Sequence, residues 1–511
     1  MSDARRSKVI EKIATGIAGF DDIAEGGLPS GTLTLVSGTA GSAKTIFGMQ
    51  FLAAGITAYE EGGVFVTFEE RPAQMCRHML SLGWDIESWE NAGKWAFVDA
   101  SPFVDVEQIT TGAFNLEALL ARIEFAVSSV KAKRVVMDSL GTMFAQIPDP
   151  LILRAELFRI IQALQSLGVT TVLTAERAND KDDLGRYGVE EFVADNVLIL
   201  RHALESDKRR RTIEILKFRG TTYRDGEYPF TVLKDQGIVV IPLTSADLRQ
   251  KTSTVRTTTG STQLDEMCGG GLLRSSVILV SGATGTGKTL TTTQFIGAGA
   301  KLKEKCLFFA FEESREQIFR NAASWGYDFE KLEREGFIKI ICRYPESAGI
   351  NDHLVWMRMA IEEYQPQRVA VDSLSAIERI ATPKAFREIV ISLTSFLKEK
   401  QVLAVFTSTT SALLGGSSIT DANISTITDT IILLRYIELL GEMRRGVMIL
   451  KMRGSAHNKE IREFTISEHG MTVGKAFRNV SGILSGNASV LAGESELVRV
   501  KSMFTEGDDL S

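Results

Sequence analysis

A chain of 511 residues is longer than one hydrophobic core usually supports, so its length predicts two or more domains. The composition, 44% hydrophobic and 24% charged, is typical of a globular protein. The net charge of −6 argues against a protein that holds long stretches of nucleic acid, although a local basic patch is compatible with it.

No segment has the composition of a signal peptide or a membrane span. The first residues, MSDARRSKVIEKIATG, carry charges that no apolar stretch follows. No run of about 18 apolar residues occurs. We therefore expect a soluble, cytoplasmic protein. The cysteines form no CxxC pair, which predicts buried, reduced thiols. They are Cys76, Cys268, Cys306 and Cys342.

The first motif along the chain is a phosphate-binding loop. The β-rich run TLTLVSG ends at Gly38, and GTAGSAKT follows from Gly38 to Thr45 before an apolar helical segment. In such loops the backbone N–H groups wrap phosphates, the lysine reaches the β and γ oxygens, and the last hydroxyl binds Mg²⁺. The predicted nucleotide contacts are Gly38, Thr39, Ala40, Gly41, Ser42, Ala43, Lys44 and Thr45.

Ala43 occupies a position where the loop pattern has glycine. A Cβ atom there costs roughly 1–2 kcal/mol if the backbone needs a positive φ, and little if φ is negative. The sequence leaves both alternatives open. Because the rest of the motif is retained, we predict a working nucleotide site in which Ala43 tunes affinity or turnover; a weak or merely structural site is the alternative.

Two further strands of the first half end in acidic residues. FVTFEE ends in the doublet Glu69–Glu70, and RVVMD ends in Asp138. A strand-end aspartate can hold the magnesium shell, and a glutamate can orient a water molecule or accept a hydroxyl proton. The alternative is a solvated strand end. We interpret all three as parts of the nucleotide site.

The segment LRAELFRIIQALQSLG has helical spacing of its apolar residues, and the strand VTTVLTAE follows it. Strands that alternate with helices predict a mostly parallel sheet with helices on both faces, and ligands beyond the carboxyl ends of the strands. The apolar stripe comprises Leu153, Leu157, Ile160, Ile161 and Leu164.

The last motif of the first half is LKFRG, with Lys217 and Arg219. On a strand this spacing points both side chains to one face. A lysine or arginine from a neighbouring subunit can stabilise phosphoryl charge, and a surface salt bridge is the alternative. The basic run 208–211 before it is predicted to be a solvated turn, and an interface or nucleic-acid contact is the alternative.

The second half repeats these landmarks in the same order, which predicts a tandem domain duplication. FVTFEE recurs as FFAFEE, RVVMDSL as RVAVDSL, and LKFRG as LKMRG. The second loop, GATGTGKT, has the expected glycine. The corresponding predicted site residues are Gly282, Ala283, Thr284, Gly285, Thr286, Gly287, Lys288, Thr289, Glu312, Glu313, Asp372, Lys451 and Arg453.

We predict two α/β domains, 1–245 and 246–477, and a small, polar, acid-ended tail, 478–511. The boundary is placed in the polar stretch 241–260, where no hydrophobic periodicity survives.

The sequence resembles the KaiC family of circadian-clock ATPases and autokinases, within the RecA-like ATPases. The resemblance runs from about Ala14 to Asn479. It rests on specific strings, among them FDDIAEGGLP, GVFVTFEE, RYGVEEFVADNV, GEYPFT, LDEMCGGG, GATGTGKT, YPESAG and ISTITDTIILL.

This resemblance implies two RecA-like P-loop domains per chain and a double-ring homohexamer, with ATP and Mg²⁺ between neighbouring subunits. It implies slow ATP hydrolysis in the first ring. In the second it implies autophosphorylation and autodephosphorylation on Ser425 and Thr426, assisted by Thr420. The positions that correspond in the first half hold Glu191 and Phe192, so only the second copy has hydroxyl acceptors there.

The resemblance also assigns individual residues. Glu312 and Glu313 are the base and magnesium partner of the kinase, Glu69 and Glu70 direct water attack, and Arg379 is a partner for the phosphate. With Arg219 and Arg453, the four glutamates form the predicted catalytic set. Further nucleotide contacts are Ser81, Asp138, Lys217, Phe218, Thr221, Trp325, Asp372, Arg445, Lys451, Met452 and Ser455. The predicted magnesium ligands are Thr45, Thr289 and Glu312.

Partners are implied as well. A KaiB-like protein is expected on the N-terminal ring. The tail after Asn479 matches the family poorly, which puts activation by a KaiA-like protein in doubt and favours KaiB alone or a signalling partner such as a histidine kinase. Tyr223 stands where the family commonly has histidine. Two other functions stay open: a nucleic-acid-dependent ATPase of the recombinase type, and a nucleotide-gated hexameric scaffold.

Overall fold

A computed structural model of the protein describes residues 10–101, 116–139, 141, 150–177, 194–205, 208–242, 253–410, 424–439, 441–468, 470–478, 480–484 and 489–490. The chain divides into two compact units, Met1–Ser245 and Ala246–Ser511. The predicted boundary stretch lies partly, and the tail mostly, outside the described residues.

The first unit alternates strands and helices, as the sequence predicts. Its strands are β1 (Lys12–Ile13), β2 (Leu28–Pro29), β3 (Leu33–Gly38), β4 (Gly62–Thr67), β5 (Trp95–Asp99), β6 (Ala132–Asp138), β7 (Thr170–Glu176), β8 (Asn196–Glu205), β9 (Lys208–Phe218), β10 (Glu227–Leu233) and β11 (Gly237–Val240). Its helices are α1 (Phe20–Ile23), α2 (Lys44–Ala58), α3 (Pro72–Leu80), α4 (Ile86–Asn91), α5 (Leu116–Val130) and α6 (Pro150–Ser166).

Nine strands form the main sheet, in the order β11-β10-β9-β8-β3-β7-β6-β4-β5. The strands from β8 to β5 in that order pair in parallel, and β9, β10 and β11 extend the sheet with antiparallel pairings. β3 lies inside the parallel part, and all its residues are buried, because layers of side chains cover both faces of such a sheet.

One core layer packs α2 against the sheet through Phe47, Phe51 and Leu52. The other packs α5 and α6 against the opposite face. The predicted apolar stripe of α6 is confirmed, since all five of its residues are buried in this second layer. Two helical layers therefore enclose the sheet, which leaves its strand ends for a ligand.

The second unit repeats this architecture. Its strands are β12 (Arg256–Thr257), β13 (Leu272–Leu273), β14 (Val277–Gly282), β15 (Cys306–Ala310), β16 (Ile338–Cys342), β17 (Arg368–Asp372), β18 (Leu403–Thr409), β19 (Thr430–Leu439), β20 (Glu442–Met452), β21 (Arg462–Ser467), β22 (Gly470–Ala476), β23 (Val480–Ser481) and β24 (Ser489–Val490). Its helices are α7 (Thr262–Met267), α8 (Lys288–Lys301), α9 (Arg315–Ser324), α10 (Phe329–Arg334), α11 (Ile350–Tyr364), α12 (Leu374–Glu378) and α13 (Pro383–Glu399), with single 3₁₀ turns at Pro345–Ser347 and Ile424–Thr426.

Its sheet order, β16-β15-β17-β18-β14-β19-β20-β21-β22, matches that of the first sheet strand for strand. β14 carries the second phosphate loop as β3 carries the first, and β17 takes the place of β6. The predicted α/β fold with two mostly parallel, helix-flanked sheets is confirmed.

A buried arginine ties the layers together in each unit. The side chains of Arg134 and Arg368 are each 1% exposed. Arg368 Nε donates to the Glu304 carboxylate at 2.5 Å, and its Nη1 donates to the carbonyl oxygens of Thr258 and Phe295 at 2.8 and 3.0 Å. These contacts satisfy the guanidinium, as a buried charge requires.

Three smaller features of the described residues bear on the sequence predictions. No described helix is long and apolar enough to cross a membrane. All four cysteines are free thiols, and three of them are buried. The basic run 208–211 was predicted to be a solvated turn, but it begins β9, because it pairs with β8 in an antiparallel ladder.

Candidate nucleotide site

The first phosphate loop joins β3 to α2 and turns back over the end of the sheet. The ammonium of Lys44 donates to the carbonyl oxygens of Gly38 and Thr39, at 2.9 and 3.0 Å. Burial lowers the pKa of Lys44, while the charges of Glu176, Asp138 and Glu69 oppose this shift. A lysine held across its own loop lies where it can bind phosphate oxygens.

The open question about Ala43 has an answer in the backbone. Ala43 has φ 75° and ψ 28°, and Gly287 at the same position of the second loop has φ 107° and ψ 22°. Both values lie in the left-handed region, which favours glycine. The altered loop therefore keeps the shape of the regular one, at a conformational cost of about 1–2 kcal/mol.

Asp138 connects the loop to the neighbouring strands. Thr45 Oγ1 donates to Asp138 Oδ2 at 2.6 Å, and Thr174 on β7 donates to Oδ1. Burial raises the pKa of Asp138, and the two hydroxyl hydrogen bonds partly reverse that shift. The hydroxyl of Thr45 and the Asp138 carboxylate thus lie together, as a shared magnesium shell requires.

The Glu69–Glu70 doublet borders the same space. Ser139 Oγ donates to Glu69 Oε1 at 2.9 Å, and the Glu70 carboxylate lies 3.6 Å from Nδ1 of His78. Both glutamates line a cleft of about 490 Å³ with Lys44, Thr45 and Asp138. The structure therefore brings the predicted lysine, hydroxyl and acids of the first copy into one cleft.

Arg211, from the run predicted to be a turn, lies at this cleft. Its Nε donates to the carbonyl oxygen of Gly41 at 3.3 Å. The repeat offered a signal, because Arg211 corresponds to Arg445, which the family resemblance assigns to the second nucleotide pocket. Arg445 lies 5.6 Å from the ring centre of Tyr436.

The second phosphate loop has the same geometry. Lys288 donates to the carbonyl oxygens of Gly282 and Ala283, at 3.0 and 2.9 Å. Burial lowers its pKa. Asp372 accepts from the hydroxyl groups of Thr407 and Thr289, and burial raises the pKa of this carboxyl.

The two glutamates that follow β15 have different environments. The Glu312 carboxylate forms an ion pair with Arg379 at 3.1 Å. Glu313 Oε2 accepts a hydrogen bond from Asn321 at 3.2 Å. Burial, and then the charge of Asp372, raise the pKa of Glu313. Two adjacent carboxyls in different environments can take different roles.

Several predicted nucleotide contacts lie away from the phosphate loop of their own unit. Lys217 Nζ donates to the carbonyl oxygen of Ala194 at 2.8 Å, just before β8 begins. Asn196 pairs with Phe218 and with Thr34, four residues before Gly38. A rise of 3.3 Å per residue places LKFRG about 13 Å along the sheet from the loop.

The same holds in the second unit. Lys451 donates to the carbonyl oxygen of Thr428 at 2.7 Å, and Arg453 donates to that of Thr426 at 2.9 Å. The 3₁₀ turn of Ser425 and Thr426 precedes β19, so it lies at the amino end of that strand. The phosphate loop lies at the carboxyl end of the parallel strand β14.

Two corrections concern these basic motifs. Arg219 and Arg453 were predicted to share a strand with their lysines, but β9 ends at Phe218 and β20 at Met452, so both arginines lie in the turns that follow. Arg219 lies 3.5 Å from the Asp195 carboxylate.

The remaining predicted residues occupy equivalent positions in the two units or lie outside the described residues. Ser81 and Trp325 each follow the last residue of a helix, α3 and α9. Phe218 contacts Tyr223, with 5.4 Å between ring centres. Thr221 follows β9, and Ser455 accepts from Arg256. Thr420 and the Ser425 side chain lie outside the described residues.

The residues present fit a nucleotide with magnesium. The part of the chain that the structure describes contains no group of three or more His, Cys, Asp or Glu residues that could hold a metal ion by itself. Mg²⁺ usually takes one or two carboxylates together with substrate phosphates, so Thr45 with Asp138 and Thr289 with Asp372 suit it.

Sequence reasoning also missed Glu176 and Ser139. Glu176 is the last residue of VTTVLTAE and lines the first cleft. The rule that identified Asp138, an acidic residue at the carboxyl end of a parallel strand, applies equally to Glu176 and could have found it.

The chain is similar to known proteins along nearly its whole length. The model of the family described as "ATPase: KaiC" matches residues 13–245 and again residues 257–477. The chain is 57% identical over 497 residues to the circadian clock protein KaiC3 of Synechocystis sp., covering 97% of this chain and 98% of that protein. It is 50% identical to the circadian clock oscillator protein KaiC of Thermostichus vulcanus, over 97% of this chain and 95% of that protein.

A third relative, the circadian clock oscillator protein KaiC of Synechococcus elongatus, is 48% identical over 96% of this chain and 95% of that protein. Each match spans both units rather than one. The chain therefore belongs to the KaiC family of ATPases, with the KaiC domain present twice.

Proposed function

We propose that the protein is an ATP-hydrolysing Ser/Thr autokinase and autophosphatase of a circadian or KaiC-like timing or stress-response system. Hydrolysis belongs to the first domain, and phosphorylation of Ser425 and Thr426 to the second. One observation carries this proposal: both domains hold the same set of lysine, threonine, aspartate and paired glutamates, while Ser425 and Thr426 occur in the second alone.

In the first domain, Lys44 and the loop N–H groups bind the triphosphate, and Thr45 with Asp138 holds Mg²⁺. When bound there, the ion would neutralise negative charge on the phosphates. Glu69 and Glu70 orient and deprotonate the attacking water. Glu69 is suited to this because the Ser139 hydroxyl fixes its carboxylate at the cleft.

In the second domain, Lys288, Thr289 and Asp372 take the corresponding binding roles. Glu313 accepts the proton of the attacking hydroxyl, because its raised pKa suits a general base. Glu312 is a magnesium partner, and Arg379 binds the phosphate of the product.

We further propose that the sites form between copies of the chain in a homohexamer. Within one domain the LKFRG or LKMRG lysine and the phosphate loop lie at different ends of the sheet. The same separation holds for the turn of Ser425 and Thr426 and the loop of its own domain. A neighbouring copy that presents its turn and basic motif to the loop would complete each site.

For partners, we propose a KaiB-like protein on the first domain. An open groove of about 390 Å³ between β5 and α5 supports this, since Phe97, Val98 and Phe125 line it. The Phe125 side chain is 76% exposed at this groove and offers an apolar surface for a partner to pack on. A signalling partner such as a histidine kinase remains part of the proposal, and a KaiA-like activator is not.

The test is to incubate the protein with Mg²⁺ and γ-labelled ATP and to measure released and protein-bound phosphate separately. We expect Lys44→Ala to abolish most phosphate release and to leave a bound fraction, and Lys288→Ala to do the reverse. If both variants lower both signals equally, the proposed division between domains is wrong. Stimulation of release by added DNA would instead favour a nucleic-acid-dependent ATPase.

A further inference from the structure

Glu176 presents a carboxylate at the first cleft that the proposed mechanism does not use. It is the last residue of β7, and it lines the cleft with Lys44, Glu69 and Asp138. The parallel register of β3 and β7 places it beside Gly38, where the phosphate loop begins. It is therefore close to the phosphates that the loop would hold.

The strand geometry also indicates which way Glu176 points. Residues two apart on a strand share a face, and Thr174 points to the loop side, because its hydroxyl donates to Asp138. Glu176 projects from the same face, about 7 Å further along the strand. Among the described residues its charge acts on Lys44, but no hydrogen bond and no ion pair within 4 Å engages its carboxylate, so it can accept from a ligand.

The second domain has no carboxylate at this point. β18 corresponds to β7, and there Thr409 is the residue that pairs with Gly282. Among the described residues lining the first cleft, every other charged side chain keeps a charged counterpart. Lys44, Glu69, Glu70, Asp138 and Arg211 correspond to Lys288, Glu312, Glu313, Asp372 and Arg445. Among the charged side chains that line the first cleft, Glu176 is thus the one without a charged counterpart in the second domain.

A second difference accompanies the first. The backbone N–H of Thr409 donates to Ser375 Oγ at 2.8 Å, which anchors the end of β18. The residue that corresponds to Ser375 in the first domain is Gly141, which has no side-chain hydroxyl. The end of the strand is therefore built differently in the two copies, with an anchored neutral residue in one and an acidic residue in the other.

We propose that Glu176 is a positioning residue that commits the first site to water as the acceptor of the γ-phosphoryl group. The inference rests on the proposed function of that site. In the step it serves, the water oxygen bonds to the γ-phosphorus and the bond to the β,γ-bridging oxygen breaks. ADP leaves with that electron pair, and the Glu69–Glu70 doublet takes the water's proton.

Charge and hydrogen-bonding capacity explain the choice of acceptor. An ionised carboxylate only accepts hydrogen bonds, and water has two protons to donate. One can go to Glu176 and the other to the doublet, which orients the oxygen toward the phosphorus. Thr409 is neutral, and its hydroxyl can donate as well as accept, so it does not impose one orientation on a water molecule. The second site consequently leaves its γ-phosphate to a protein hydroxyl, for which one base suffices.

The test compares Glu176→Gln and Glu176→Thr with Glu117→Gln, an exposed control on α5 whose carboxylate is 82% exposed. The assay measures steady-state phosphate release in the full chain, nucleotide binding with a fluorescent ATP analogue, and protein-bound phosphate. For both Glu176 variants we expect kcat to fall by about tenfold or more, while KM changes by less than about threefold in either direction. The amount of protein-bound phosphate should stay unchanged. The reciprocal variant, Thr409→Glu, should release more phosphate and retain less on the protein.

Three outcomes would overturn the inference. An unchanged kcat in Glu176→Gln means that this carboxylate does not position water. A higher KM at constant kcat assigns Glu176 to nucleotide binding. An equal loss in Glu117→Gln points to a general effect of surface charge. If the unmodified protein itself releases no phosphate from ATP, the proposed function of the first domain fails, and the inference fails with it.

Discussion

Arg379 and Glu312 form an ion pair beside the second phosphate loop, with 3.1 Å between guanidinium and carboxylate. Their side chains are 61% and 42% exposed, so solvent screens the pair and its contribution to folding stays below about 1 kcal/mol. A weakly held guanidinium can leave the carboxylate for a stronger anion. A phosphoryl group carries about −1.5 to −2 charges and attracts arginine more strongly.

The first prediction concerns this exchange. Arg379→Gln should leave the melting temperature of the unphosphorylated protein unchanged within error. It should lower the steady-state phosphorylated fraction, because the phosphate loses its charged partner. Quantitative phosphopeptide analysis measures this. Lys384→Gln is the matched control, since Lys384 is 86% exposed on α13. An unchanged phosphorylated fraction in Arg379→Gln would remove Arg379 from the account.

The second prediction concerns the left-handed residue of each phosphate loop. Ala43→Gly should raise the stability of the first unit by about 1 kcal/mol, because glycine adopts a positive φ without a steric penalty. Gly287→Ala should destabilise the second unit by a similar amount, and its Cβ would lie 3.2 Å from Ile466.

Denaturation midpoints of the two units and nucleotide affinity measure these effects. If Ala43→Gly alters neither stability nor affinity nor hydrolysis, the substitution at Ala43 is neutral and does not tune the first site.

The third prediction concerns pH. Burial and the Asp372 charge raise the pKa of Glu313, so this carboxyl takes up its proton at a higher pH than an ordinary glutamate. A protonated Glu313 cannot accept the proton of the attacking hydroxyl. Autophosphorylation should therefore decline as the pH falls through this raised pKa.

Asn321→Ala removes a hydrogen bond that lowers the pKa of Glu313 and should move the decline to higher pH. Initial phosphorylation rates between roughly pH 5 and 8 test this. If Asn321→Ala does not change the pH at which phosphorylation declines, the group whose protonation limits the rate is not Glu313.

The fourth prediction concerns stability. Arg368→Ala should destabilise the second unit by about 3–5 kcal/mol, because the buried Glu304 carboxylate loses this partner and two carbonyl oxygens lose the hydrogen bonds from the guanidinium. Arg315→Ala removes an exposed partner of Glu333 and should cost less than about 1 kcal/mol. Urea midpoints compare the two, and equal shifts would contradict a structural role for Arg368.

Much of the fold and of the loop chemistry follows from the sequence alone. The stripe from Leu153 to Leu164 and the acids at the ends of β6 and β17 are encoded by local periodicity and by motif spacing. The duplication doubled that signal. Pairing between distant strands was less accessible: the basic residues 208–211 look like a solvated turn until β8 pairs with them.

The φ angle of Ala43 depends on the fold of the whole loop, so the sequence alone could not predict that φ is positive. Glu176 has a local signal at its strand end, but its significance depends on the register beside Gly38 and on the comparison with Thr409. The comparison of Glu176 with Thr409 requires the strand registers of both sheets, which the sequence does not provide.

The most direct test of the central claim is phosphosite mapping over time. The intact protein is incubated with ATP and Mg²⁺, and peptides that contain Ser425 and Thr426 are quantified by mass spectrometry beside a Glu312→Gln, Glu313→Gln double variant. We predict phosphate on both residues in the intact protein and none in the variant. Unmodified Ser425 and Thr426 in an intact protein that still hydrolyses ATP would contradict the autokinase and favour a nucleotide-gated scaffold.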